Sequence, residues 1–65
     1  MNWYVHLEME SGKSTVGPFN LEGARGTAEL MVHNRNAQGY HMVDVGNMHW
    51  ESETHQMDIW VREGK

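Results

Sequence analysis

The chain of 65 residues contains no cysteine. Disulfide bonds therefore cannot stabilise it, and zinc sites built from cysteine thiolates are excluded. Secreted domains of this length usually carry paired cysteines, and the first residues show no charged segment followed by an apolar run that would act as a signal peptide. We therefore expect a cytoplasmic protein.

Long apolar runs and basic clusters are also missing. No stretch approaches the roughly 20 apolar residues that span a bilayer, so we expect no membrane insertion. The five Lys and Arg residues are scattered, and the formal net charge is −4. Because nucleic-acid binding depends on clustered positive charge, we expect no nucleic-acid partner.

Aliphatic side chains are few, since Ile, Leu, Val and Phe together make only 11 residues. Six Met and three Trp supply the remaining apolar volume, so we expect a folded domain with Met and Trp in its core. The length predicts a single domain, residues 1–65. A chain this short buries only about 60% of the surface that it exposes when unfolded, and without disulfides this favours oligomerisation.

Only one segment, residues 20–36, has helical periodicity. Asn20 is a suitable N-cap, and Gly39 follows as a stop signal. Apolar residues recur at offsets of three, four and seven and predict a core-facing stripe: Leu21, Ala24, Ala28, Met31 and Val32.

A second flank of the predicted helix carries Gly23, Gly26 and Leu30. One interpretation is that the glycines fray the first turns and that Leu30 is a single exposed leucine, which is common. The other is that the glycines let another backbone approach closely, against a second copy or a partner. We expect self-association as a two-fold homodimer, through this flank, through a sheet edge or through the aromatic face of the sheet opposite the helix.

The patterns on both sides of the helix predict β-hairpins. Residues 2–10 alternate between apolar and polar, and residues 15–19 return after a turn at Ser11-Gly12. Residues 40–50 predict a long third strand with a β-bulge at Gly46-Asn47, although this dipeptide could itself be a hairpin turn. Residues 55–62 alternate again. The sequence thus predicts an α+β fold in ββ-α-ββ order: a four-stranded, mainly antiparallel sheet with one helix on one face.

Residues that carry chemistry do not form a recognisable catalytic motif. Gly12-Lys13-Ser14-Thr15 resembles the end of a phosphate-binding loop, but Leu7 stands where its first glycine is needed and a strand follows. The serines lie in turns without a nucleophile motif, so we expect no enzymatic activity. The second predicted hairpin contains His41, His49 and His55 without a close histidine pair, so we expect no metal site and no cofactor. A histidine-based metal- or ligand-binding protein remains an alternative.

Three short motifs resemble the skeleton of GYF-type domains: Trp3-Tyr4, Gly17-Pro18-Phe19 and Gly39-Tyr40. The following Leu21-Glu22 is similar to the bacterial version of the family. The resemblance implies a small module that binds proline-rich peptides in an aromatic groove formed by Trp3, Tyr4, Phe19 and Tyr40. The chain departs from the family at His41, where the family tripeptide has Phe.

The alternation also predicts which side chains lie on the sheet face opposite the helix: Tyr4, His6, Tyr40, Met42, Trp60 and Arg62. Tyr, Trp and Arg are frequent anchors of protein contacts, and the alternative is that they only pair across strands. We therefore expect a non-enzymatic module that binds another, larger intracellular protein. In size and acidity it resembles the small accessory and inhibitor proteins of phages and mobile elements, which implies an inhibitor that occupies a surface of a host protein.

Overall fold

The computed structural model describes residues 1–64, which form one helix and five strands. In chain order the elements are β1 (Asn2–Met9), β2 (Gly12–Phe19), α1 (Leu21–Ala37), β3 (Met42–Gly46), β4 (His49–Ser52) and β5 (Met57–Gly64). The α+β class is therefore confirmed. Within the described range, no helix has the length and apolar character needed to cross a membrane.

The helix follows the local signals of its sequence closely. The side chain of Asn20 accepts a hydrogen bond of 2.7 Å from the backbone N–H of Gly23, as expected of an N-cap. At the other end, the N–H of Gln38 donates to the carbonyl of Arg35 and ends the helix one residue later than predicted. Leu21 is 38% exposed instead of buried, and it is the first residue of the helix.

The sheet is antiparallel throughout, with strand order β2-β1-β5-β4-β3. The strands nearest the two ends of the chain, β1 and β5, pair along their whole length, from Asn2 opposite Gly64 to Met9 opposite Met57. This pairing joins the two hairpins into one sheet. Each position on β1 is thereby placed beside a partner more than 45 residues away in sequence.

The prediction of a four-stranded sheet with one long third strand over residues 40–50 is wrong, because residues 42–52 form two strands and the sheet has five. Backbone φ angles of +92°, +55° and +55° at Gly46, Asn47 and Met48 reverse the chain. A two-residue hairpin loop of this kind needs positive φ at both central residues, and glycine reaches positive φ at little cost. The chain therefore makes a hairpin turn, with its two loop residues at Asn47 and Met48, one position later than the alternative at Gly46-Asn47. The register shift between Asp44 and Gly46 adds an irregularity beside it.

The core lies between α1 and one face of the sheet. Ala24 and Ala28 of the helix are fully buried, and the register places Val5 opposite Val61 in the layer beneath. The buried apolar residues are Val5, Leu7, Ala24, Ala28, Met42, Met57, Ile59 and Val61. Since the helix occupies one face, the opposite face, called the outer face below, is formed by side chains that alternate with these residues.

Candidate functional site

The outer face is organised in rows that run across the strands. His6 of β1 lies opposite Trp60 of β5, which lies opposite His49 of β4. We call these three residues the aromatic row. Two residues before Trp60 on β5, a second row has an acidic side chain on each of β1, β5 and β4. We call these three residues the carboxylate row: Glu8, Asp58 and Glu51.

Trp60 is the centre of the aromatic row. The guanidinium carbon of Arg62 lies 3.5 Å from the centroid of its ring, and the His49 ring meets it edge-on with centroids 4.7 Å apart. A cation over an indole face contributes about 0.5–1 kcal/mol at an exposed site. The Nε1 atom of Trp60 is buried and finds no hydrogen-bond partner among residues 1–64. Trp60 is thus held in place by its neighbours, while its one polar atom stays unsatisfied.

Tyr4 lies on the same face, between two glycines of the neighbouring strands. An ideal Cβ on Gly17 would lie 2.8 Å from its Cδ2 atom, and one on Gly64 would lie 2.6 Å from its Cε1 atom. Any larger residue at either position would collide with the ring. An aromatic ring that packs over glycine in this way covers backbone that would otherwise be exposed. Tyr4 therefore depends on both glycines for its position.

The carboxylate row places like charges directly opposite one another, which destabilises a sheet. At the β1 end, Lys13 offsets the charge with its Nζ atom 3.4 Å from Oε1 of Glu8. At the β4 end, Nε2 of His49 lies 2.9 Å from Oδ1 of Asp58. The ligating atoms of His49, Glu51 and Asp58 all lie within 4.8 Å of one another.

Sequence reasoning missed this grouping because it looked for close histidine pairs on one element. The group joins two strands, and Asp58 reaches it only through the β4–β5 register. The signal within the sequence is the spacing of His49 and Glu51, since residues two apart on a strand share a face.

Two of the six residues predicted for the outer face lie elsewhere. Met42 is only 7% exposed and belongs to the core. Tyr40 precedes β3, where its ring stacks on His55 with centroids 4.1 Å apart and lies 5.3 Å below the guanidinium of Arg35 on α1. The prediction treated residues 40–50 as one continuous strand. In the structure, His41 has a φ of +50°, the strand begins after it, and Met42 points towards the helix.

The residues named for self-association separate into two environments. An ideal Cβ on Gly23 would lie 3.5 Å from Cβ of Phe19, so Gly23 packs against its own chain. The corresponding Cβ on Gly26 would meet no atom of residues 1–64 within 4 Å, and Leu30 is 61% exposed. The exposed part of this flank is therefore Gly26 and Leu30.

The residues that carry the GYF-type resemblance do not share one face. Trp3 pairs with Phe19 on the helix side of the sheet, whereas Tyr4 lies on the outer face. Tyr40 lines a cavity together with Met9, at the other end of β1 from Trp3.

Comparisons of this chain with models of known protein families, with curated proteins and with solved structures give no match.

Proposed function

We propose that this chain is a small, non-enzymatic protein-binding module that uses its outer face to occupy a surface of a larger protein. The observation that carries the proposal is the group of Tyr4, His6, Trp60 and Arg62 on the sheet face opposite the helix. Trp, Tyr and Arg dominate the binding energy of protein interfaces when they are clustered. Here three of them stand on two adjacent strands.

The unsatisfied indole of Trp60 supports this proposal. A buried donor without a partner costs about 1–3 kcal/mol. Arg62 lies over the ring, and because its side chain is exposed it can turn towards a partner without disturbing the core. A partner that contacts Arg62 and offers an acceptor to Nε1 would remove the cost, and this gain is specific to the bound state.

A protein interface would cover a sizeable fraction of the small accessible surface of this chain. A standard interface buries about 800 Å² on each partner. The accessible surface of the protein is 4409 Å², so such a contact would take up about one fifth of it. One face of the sheet is sufficient for this, and the helix side would remain accessible in the complex.

The test is affinity capture from the native host with three variants. A partner retained by the wild type and by Leu30→Glu, but lost with Trp60→Ala and Arg62→Ala, would support binding through the outer face. Leu30 is the matched control because it is an exposed apolar residue on the helix. A partner that binds Trp60→Ala as tightly as the wild type, with both proteins folded by circular dichroism, would contradict the proposal.

A peptide titration tests the alternative that the GYF-type resemblance implies. Trp3 lies beside Phe19, so a proline-rich peptide bound there should change tryptophan fluorescence. An unchanged spectrum at saturating peptide would exclude this alternative and would leave the outer-face proposal standing.

A further inference from the structure

We propose that His49, Glu51 and Asp58 form a binding site for a divalent transition-metal ion, with Zn²⁺ as the fitting ion. The imidazole nitrogen and the two carboxylates already lie within 4.8 Å of one another. One imidazole and two carboxylates make a donor set that zinc accepts, and three protein ligands leave a fourth position for water.

The distances are close to those that a metal requires. Zn–N and Zn–O bonds of about 2.0–2.2 Å place two ligand atoms of a tetrahedron roughly 3.3–3.5 Å apart. Nε2 of His49 and Oδ1 of Asp58 are 2.9 Å apart, so a small outward shift admits an ion between them. The side chain of Glu51 is exposed and its carboxylate lies within 4.8 Å of the other two ligand atoms, so it is free to approach and complete the site.

Two of the three ligands are held in place before any ion binds. The side chains of His49 and Asp58 are only 25% and 33% exposed, and the His49 ring packs edge-on against Trp60. This contact fixes the ring plane with Nε2 directed at Asp58. Orientation of a ligating histidine by its surroundings is a regular feature of metal sites.

The charge distribution is an independent argument for a cation. Asp58 stands directly opposite Glu8 on one side and Glu51 on the other, and both pairs repel. Lys13 neutralises only the Glu8 end of the row. A divalent ion bound near Glu51 would attract the carboxylates of both Glu51 and Asp58 and so offset their mutual repulsion. The row also borders an open cavity of about 490 Å³, lined in part by Glu8, Glu51 and Asp58, through which an ion can enter.

The site explains why His49 differs from the other histidines. His6 bonds to Thr15 through Nδ1 at 3.1 Å, and His55 bonds to Thr54 at 2.7 Å, so each has a neutral hydroxyl partner. His49 alone, within residues 1–64, pairs with a carboxylate. Since protein binding does not require this arrangement, the inference is separate from the proposed function.

The experiment is a calorimetric titration of the purified full chain with Zn²⁺ and, separately, with Mg²⁺. We expect one Zn²⁺ per chain, with binding at least tenfold weaker for Mg²⁺, because imidazole favours zinc. Removal of a group that only supports a metal ligand lowers the metal affinity about 10–100-fold. Loss of a ligand itself, in His49→Gln or Asp58→Asn, should therefore weaken Zn²⁺ binding at least tenfold. His6→Gln is the matched control and should bind Zn²⁺ as the wild type does.

A fourth variant distinguishes the loss of a metal ligand from the loss of the folded structure. Glu51 is exposed and repels Asp58, so Glu51→Gln should not lower the thermal midpoint of the metal-free protein and should still weaken Zn²⁺ binding. Zn²⁺ should also shift amide resonances of β4 and β5 more than those of β2. The inference is overturned if the wild type shows no saturable Zn²⁺ binding, or if His49→Gln and Glu51→Gln bind as tightly as His6→Gln.

Discussion

The two faces of the sheet are built from the same strands but carry opposite kinds of interaction. On the helix side of β5, Ile59 is fully buried and packs in the layer that contains Val5 and Leu7. One residue along the strand, Trp60 faces outwards among charged and imidazole side chains. Folding is driven by the first face, because apolar burial supplies most of the stabilising free energy. The second face is less constrained by folding and is therefore the one that can carry recognition.

The carboxylate row sharpens this contrast. A face selected only for stability would not place Asp58 opposite two other acidic residues, since like charges across strands are unfavourable. The helix side has no comparable conflict, because the described residues bury no polar or charged side chain there. Local conflicts of this kind are expected at functional sites, where function and stability make different demands.

Ile59→Ala should produce the largest effect, because it creates a cavity in the fully buried layer. A substitution of this type costs about 2–5 kcal/mol. A chain of this size has a free energy of unfolding of roughly 3–10 kcal/mol, so the variant should lose most of its stability. Urea denaturation measures the difference. If Ile59→Ala were no less stable than Trp60→Ala, the division between a folding face and a recognition face would be wrong.

Gly17→Ala should be the next most damaging change, and Gly12→Ala is its matched control. Both glycines lie on β2 and have positive φ angles, +139° and +150°, so both variants pay the backbone cost of about 1–3 kcal/mol. The new methyl group on residue 17 would collide with Tyr4. The new methyl group on residue 12 would have no neighbour within 4 Å among residues 1–64.

The difference between the two glycine variants therefore measures how firmly Tyr4 is held on the outer face. Thermal unfolding of both variants should be repeated in a Tyr4→Ala background, where the difference should shrink. Equal costs in the wild-type background would show that the Tyr4 ring moves aside freely, and it would then be a poor anchor for a partner.

Trp60→Ala should lower stability moderately and abolish partner binding. Trp60 packs against Arg62 on its own strand and against His49 on β4, and it lies opposite His6 on β1. The cation over its ring contributes about 0.5–1 kcal/mol and each cross-strand pair about 0.2–1 kcal/mol. We expect a loss of about 1–2 kcal/mol in the free energy of unfolding. A large loss of stability together with intact binding would mean that the aromatic row serves the sheet and not a partner.

Leu30→Glu should have the smallest effect on folding, within about 0.5 kcal/mol, because the residue is exposed. Light scattering after gel filtration measures its effect on self-association. If the wild type is a dimer held by the helix flank, this variant should be a monomer at micromolar concentration. Val45→Glu, at the exposed edge strand β3, tests the edge alternative in the same way. A wild type that is monomeric over a wide concentration range would contradict the homodimer prediction.

Sequence patterns predicted the helix, its Asn20 cap and the inward residues of β1 and β5. Each of these depends on contacts within a few residues of chain or on simple alternation, both of which are visible in one sequence. The same alternation predicted four of the six outer-face residues correctly: Tyr4, His6, Trp60 and Arg62. The errors at Tyr40 and Met42 arose beside the edge strand β3, where Val43 and Val45 are exposed while Tyr40 and Met42 pack on the core side, so apolar alternation alone indicates the wrong face.

What the sequence by itself determined, then, is the helix, the first hairpin, the last strand and which face of β1 and β5 is apolar. Only the tertiary structure decided that β1 lies beside β5 and in which register β4 pairs with β5. That neighbourhood brings Trp60 between His6 and His49, and it places Asp58 beside His49 and Glu51. Strand order joins residues that are distant in the chain, and it is set by how the whole apolar face is buried beneath the helix. For this reason no local pattern could reveal it.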